Sequence, residues 1–275
     1  MTNAYLFLGT PHCGRRAILA DLIRDGLSGE TTVYIAEPER DAEAEKVFAD
    51  VPATTLRSWK FSDASANGGN GAEIELGAPH DAGDNAVFLT DGADDPVDQI
   101  EAFAALATRL GWHVARVVTI VDCAFATAVP ACAEWFAACI HFSDTVLLTR
   151  REHVSNRQIN EFKAPFVKKC FPCTFELVKK DRVENPARVL DDKPRRMTMI
   201  FDERDPIDDF EFDEEHLPEE PFDLVSAPDP YLETNDSGAR KISVPFIGDL
   251  LEEFRRGNGE NGALDAGTTG TAGNA

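Results

Sequence analysis

Apolar residues in this chain fall into short continuous runs, and stretches of helical spacing lie between them. Residues 4–10 (AYLFLGT) read as a buried strand that Gly9 turns into a loop. Ala17, Ile18, Leu19, Leu22, Ile23 and Leu27 then recur at helical spacing until Gly26 and Gly29. Residues 31–36 (TTVYIA) are β-branched and aromatic, which predicts a second strand, broken by Glu37-Pro38-Glu39. Residues 62–85 are polar and glycine-rich and read as a loop. Residues 86–90 predict a strand, and 97–110 a helix with Ile100, Phe103, Ala104, Ala107 and Leu110 on one face. Residues 114–121 (VARVVTIV) predict a strongly buried strand, 131–140 an Ala-rich helix, and 145–148 a further strand. Ser155 opens a helix expected to reach about Phe162. Beyond that the pattern weakens: short strands at 174–178 and 197–201, then a terminal helix at 247–254.

Strands that alternate with helices, each strand apolar throughout, specify a parallel sheet covered on both faces. The expected fold is α/β, a parallel sheet flanked by helices over residues 1–165. A basic extension follows at 166–201, then an acidic segment with the terminal helix at 202–256. A disordered tail is expected at 257–275. Ligands of such sheets bind at the carboxyl ends of the strands, and the chemically suggestive residues cluster there.

The sharpest of these clusters is Gly9-Thr10-Pro11-His12-Cys13-Gly14-Arg15-Arg16, between the first strand and the first helix. Two glycines five apart match the spacing of a phosphate-binding P-loop, whose backbone N–H groups curl around phosphate. A Lys that reaches the β- and γ-phosphates should follow, then a Ser or Thr that holds Mg²⁺. Here Arg15 and Arg16 take those places. Arg15 suits phosphate, because its planar fork makes paired contacts. Arg16 offers Mg²⁺ no ligand and repels it.

Charge narrows the partners. The net charge of -22 argues against nonspecific nucleic-acid binding. Residues 150–200 reverse the sign, with 13 Lys/Arg against 7 Asp/Glu, so an anionic partner or the chain's own acidic tail is expected there. Residues 202–223 hold twelve Asp/Glu against Arg204 alone, which suits a solvated connector or a segment that docks a basic protein. No apolar run is long enough to span a membrane, the start lacks a signal's basic region, and six cysteines are too few for a disulfide scaffold. The expected setting is cytoplasmic, without membrane or nucleic-acid partners. Cys170 and Cys173 read as structural thiols. His12, Cys13 and Cys123 form a candidate soft-metal donor set, the metal unspecified. No Ser/His/Asp arrangement is evident.

Four stretches in order resemble the CobW-type metal-chaperone GTPases of the P-loop superfamily. They are the loop just quoted, Thr90-Asp91-Gly92-Ala93-Asp94-Asp95-Pro96, Val117-Val118-Thr119-Ile120-Val121-Asp122, and Phe142 through Glu152. The resemblance covers about residues 4–155. It implies a P-loop NTPase-like sheet and GTP as ligand. Gly9, Gly14, Arg15 and Arg16 would then lie on the phosphates. Asp91 and Asp95 would be the carboxylates of the catalytic switch, and Thr149, Arg150 and Glu152 would read the base. The chain departs from the family at the same points. Leu89 replaces an acidic residue near the metal, and Glu152 is one methylene longer than the family's Asp. Thr149 and Arg150 replace Asn and Lys, and the Cys-x-Cys-Cys metal motif is absent. The expected function is therefore binding of a nucleotide or other phosphorylated anion with weak or no hydrolysis. An active GTP-hydrolysing metallochaperone, or an interaction protein that uses its acidic segment, are the alternatives.

Overall fold

A computed structural model describes residues 1–61, 73–77, 82–152, 154–202 and 228–266, with side chains to residue 257. The chain divides into two compact units, Met1–Met197 with Val244–Ala275, and Thr198–Ser243. The first holds an eight-stranded sheet of order β4-β3-β2-β5-β1-β6-β7-β8. Its strands are β1 (Asn3–Gly9), β2 (Thr31–Ala36), β3 (Thr54–Phe61), β4 (Ile74–Leu76), β5 (Asn85–Leu89), β6 (His113–Asp122), β7 (Thr145–Thr149) and β8 (Thr174–Leu177). All pairings are parallel except that of β4 with β3. The helices are α1 (Arg15–Gly26), α2 (Pro96–Leu110), α3 (Cys123–Ala128), α4 (Ala133–His141), α5 (Asn156–Lys168), α6 (Pro186–Val189) and α7 (Gly248–Ala266).

β1 is central because both its faces are apolar. Tyr5 and Phe7 pack with Ile18, Leu19 and Leu22 of α1. On the opposite face Phe88 of β5 meets Phe103 of α2 edge-on at 5.1 Å and stacks on Tyr34 of β2 at 4.7 Å. The chain leaves β1 toward β2 on one side and later adds β6 and β7 on the other. That reversal opens a crevice at the carboxyl end of β1.

The sheet extends beyond the predicted strands. β3 and β4 have no counterpart among the strands the sequence predicts, and β4 falls inside residues 62–85, which read as a loop. The rest of that loop, 62–72 and 78–81, lies outside the described residues, as do most of the acidic segment, His80, His153, His216 and residues 267–275. α5 continues to Lys168, through Pro165. Residues 197–201 form no strand: Met199 is 71 % exposed, with no ladder partner, so its apolar run finds no sheet edge to join. α7 carries helix past residue 257, where the sequence reads as tail. No helix among the described residues is long and apolar enough to cross a membrane.

The second unit is described in part. Thr234 and Arg240 form an antiparallel bridge, and Lys241 pairs with Glu233 at 2.6 Å.

Candidate functional site

The loop between β1 and α1 turns through positive-φ backbone at three positions. Gly9, His12 and Gly14 take positive φ of 139°, 60° and 93°. His12 is the unusual member, since a side chain resists the left-handed region, though His tolerates it better than most. Neighbours hold the curl in place. A Cβ on Gly92 would collide with the Gly9 carbonyl and the Pro11 ring, so only glycine lets the turn after β5 approach this closely. Arg150, at the end of β7, donates to the His12 carbonyl at 2.9 Å, and Arg255 of α7 donates to the Pro11 carbonyl at 3.0 Å.

The two arginines that follow Gly14 both turn to one carboxylate. Arg15 is 2 % exposed. Its Nη1 donates to the Thr90 carbonyl at 3.0 Å, and its Nη2 lies 2.6 Å from Glu39 Oε1. Arg16 donates to the Glu39 carbonyl, and its Nη2 lies 3.7 Å from Glu39 Oε2. The Gly92 N–H donates to Glu39 Oε1 at 2.9 Å. Burial alone would raise the Glu39 carboxyl. The charge of Arg15, the Gly92 N–H and Arg16 outweigh it and hold the group below its usual range. A second carboxylate abuts the loop: a Cβ on Gly14 would lie 2.8 Å from Asp181 Oδ1.

Glu39 escaped the sequence reading. It lies 23 residues from Arg16, in a short helical turn after β2 that reads as a strand breaker. The available signal was position: the turn follows a parallel strand at the sheet's ligand-binding end.

The remaining site residues separate into two groups. Arg150 and Glu152 line a cavity of about 590 Å³ with His12, Asp122, Phe125, Phe254 and Arg255. Thr149 ends β7 beside Asp122 in register and is buried. Asp91 and Asp94 line a different cavity, with Glu37, Trp59 and Lys60. Asp91 Oδ1 accepts from the Ala93 N–H at 2.9 Å, and Gln99 brackets its backbone. Burial pushes the Asp91 carboxyl up, and Glu39 and Asp94 add to this. Asp95 caps α2, its side chain accepting from Val97 N–H at 2.8 Å.

Mg²⁺ does not fit these residues. The position that supplies a hydroxyl to the metal in a P-loop carries Arg16, whose cationic head lies against Glu39. The soft-metal set fares no better. Burial pushes the Cys13 thiol up to about 11 and the Cys123 thiol up to about 12, so neither yields a thiolate readily. Among the described residues no three His, Cys, Asp or Glu side chains come together to hold a metal. Cys173 is buried and Cys170 exposed, both as free thiols.

Part of the basic block is neutralised within the first unit itself. Arg196 lies 3.2 Å from Asp144, with both side chains buried, and Arg182 pairs with Asp21 and Asp25 of α1. Arg188 pairs with Glu176 of β8.

Seven parallel strands, a glycine loop that enters a helix beneath the central strand, and a crevice at the strand ends define a P-loop NTPase-type fold. No family model and no curated protein matches the chain. Among solved structures it is similar to the signal recognition particle receptor FtsY from Elizabethkingia anophelis, in complex with GDP. That likeness has 12% identity and a TM-score of 0.44, over 74% of this chain and 65% of that one. It is also similar to the Zn(II)-bound YjiA GTPase from E. coli, at 14% identity and a TM-score of 0.36, over 70% of this chain and 66% of that one. The chain thus spans just under two thirds of each. The class rests on the sheet and the loop themselves.

Proposed function

We propose that this chain binds a phosphorylated ligand of nucleotide type at the carboxyl ends of β1, β6 and β7, with little or no hydrolysis. The observation that carries this reading is the pairing of an intact loop backbone with Arg15 and Arg16. The loop keeps positive φ at Gly9, His12 and Gly14, as a curl of N–H groups around phosphate needs, while the lysine and the metal-binding hydroxyl are both replaced by guanidinium groups. Phosphoryl transfer depends on metal ions to neutralise developing charge, so the replacement favours binding over turnover.

In this reading Gly9, Gly14, Arg15 and Arg16 serve the phosphates. The cavity between His12, Arg150, Glu152 and Arg255 takes the nucleoside. Thr149 shapes the floor beside it, and Glu152 faces the base. The CobW-like resemblance favours GTP, although the altered reader weakens base selectivity. Asp91 is the surviving switch carboxylate, and Asp95 is committed to its cap. Titration of the full chain with fluorescent GTP and ATP, alongside a phosphate-release assay, tests this. Binding without release supports it. Sustained Mg²⁺-dependent release overturns it.

A further inference from the structure

We infer that the phosphate loop is a metal-independent oxyanion site and that Glu39 is its built-in competing ligand. The inference rests on the reading of the loop as a phosphate site and goes further, assigning what balances the charge and what guards the site.

The Glu39 carboxylate has the surroundings of a bound oxyanion. One oxygen takes the Gly92 N–H at 2.9 Å and lies 2.6 Å from Arg15, while the other lies 3.7 Å from Arg16. Arg15 is the residue at the position that reaches the outer phosphates in a P-loop, and its reach here ends on this carboxylate. Three donors of positive or partial positive charge converge on one group from two separate elements: Arg15 and Arg16 at the start of α1, and the Gly92 N–H in the turn after β5. The turn after β2 delivers the carboxylate itself.

The guanidinium groups are not saturated. Arg15 is almost wholly buried, yet its Nε has no hydrogen-bond partner, and the buried Arg16 Nε has none either. Buried donors of this kind cost free energy unless paired. A carboxylate offers two oxygens and is flat. A phosphoryl group offers three in a tetrahedral array, and so can engage donors that Glu39 leaves unmet. Arg16 occupies the metal-binding position and supplies a positive charge itself, so an anion there needs no divalent cation.

The exogenous ligand is therefore the terminal phosphoryl group of a phosphate ester or polyphosphate, and it enters as Glu39 swings out. The turn that carries Glu39 is the three residues Glu37–Glu39, with Pro38 inside it, and it lies beyond the last residue of β2.

The test uses the full chain, with inorganic tripolyphosphate as probe, titrated once in EDTA and once in excess Mg²⁺ without chelator. Affinity is read by calorimetry, and folding by circular dichroism. Glu39→Gln removes the competing charge and keeps the side-chain shape. It should bind tripolyphosphate at least tenfold more tightly than the unaltered chain. The double variant R15M/E39Q should lose that gain, and Mg²⁺ should leave every affinity unchanged. If Glu39→Gln does not fold, Glu39→Asp carries the test. It retracts the carboxylate by one methylene and should also bind more tightly than the unaltered chain. Equal, measurable binding by the unaltered chain and the folded variant overturns the competing role of Glu39 and leaves the phosphate site standing. No binding by either overturns both. Binding that appears only with Mg²⁺ overturns the metal-independent site.

Discussion

Arg15 and Glu39 form a buried ion pair, 2.6 Å apart, with side chains 1% and 6% exposed. The pair joins the start of α1 to the turn after β2 across the carboxyl end of β5. Removing one member of such a pair leaves an uncompensated charge and costs about 3–5 kcal/mol, whereas removing both is often nearly neutral. Glu39→Ala should lower unfolding free energy by about that amount in urea titration, and R15M/E39L should recover most of it. The carboxyl is held below its usual range, so its contribution is present above that range. It fades as pH falls through the lowered value. Equal stability of Glu39→Ala and the unaltered chain at pH 7 would contradict the pairing.

Asp91 should show the opposite slope. Burial pushes its carboxyl up, so the folded form holds the proton more tightly than the unfolded chain. Its contribution is favourable in acid and is lost as pH rises through the ordinary carboxylate value toward the raised one. Asp91→Asn keeps an oxygen for the Ala93 N–H and removes the charge. The variant should melt higher than the unaltered chain at pH 7, and the gain should shrink on acidification. A lower melting temperature at pH 7 would assign Asp91 a favourable charge interaction instead.

The loop's backbone makes its own test. His12 holds φ 60°, a region that costs a side chain about 1–3 kcal/mol and a β-branched one most. His12→Gly should leave stability within about 1 kcal/mol, relief of strain offsetting the looser unfolded chain. His12→Val should lose about 1–3 kcal/mol. Matching stabilities for the two variants would mean that the curl is not maintained in solution.

The cavity beside the loop owes one of its cations to the C-terminal helix. Arg255 is exposed and donates to the Pro11 carbonyl. Exposed polar changes usually move stability by no more than about 0.5 kcal/mol. Arg255→Ala should therefore weaken nucleotide binding severalfold, and more so at low ionic strength, with little change in melting temperature. Unchanged affinity at both salt levels would place the ligand away from α7.

How much the sequence revealed depended on how each element is buried. β1, β2, β5, β6 and β7 are covered on both faces, so each reads as a mostly apolar run, the buried Arg116 of β6 apart, and is legible. β3 has Arg57 and Lys60 within it and is only half-buried along most of its length, so its run is diluted with polar residues. β4 is three residues long, too short to carry a period. α5 passes through Pro165, which ordinarily argues for a stop. Residues 197–201 have a strand's composition and no strand to pair with, which composition cannot reveal. At the site, Gly9, Gly14 and the two arginines stood out because a phosphate loop is local in sequence. Their partner Glu39 did not. The pair exists only because parallel strands bring β2 and β1 to end on the same edge of the sheet.

The most direct test of metal-free binding is a pair of fluorescent-GTP titrations of the full chain, one with EDTA and one with Mg²⁺, each followed by measurement of released phosphate. Two guanidinium groups in place of lysine and hydroxyl should give matching affinities and no phosphate above the protein-free rate. Tenfold tighter binding with Mg²⁺, or steady phosphate release, would contradict that assignment.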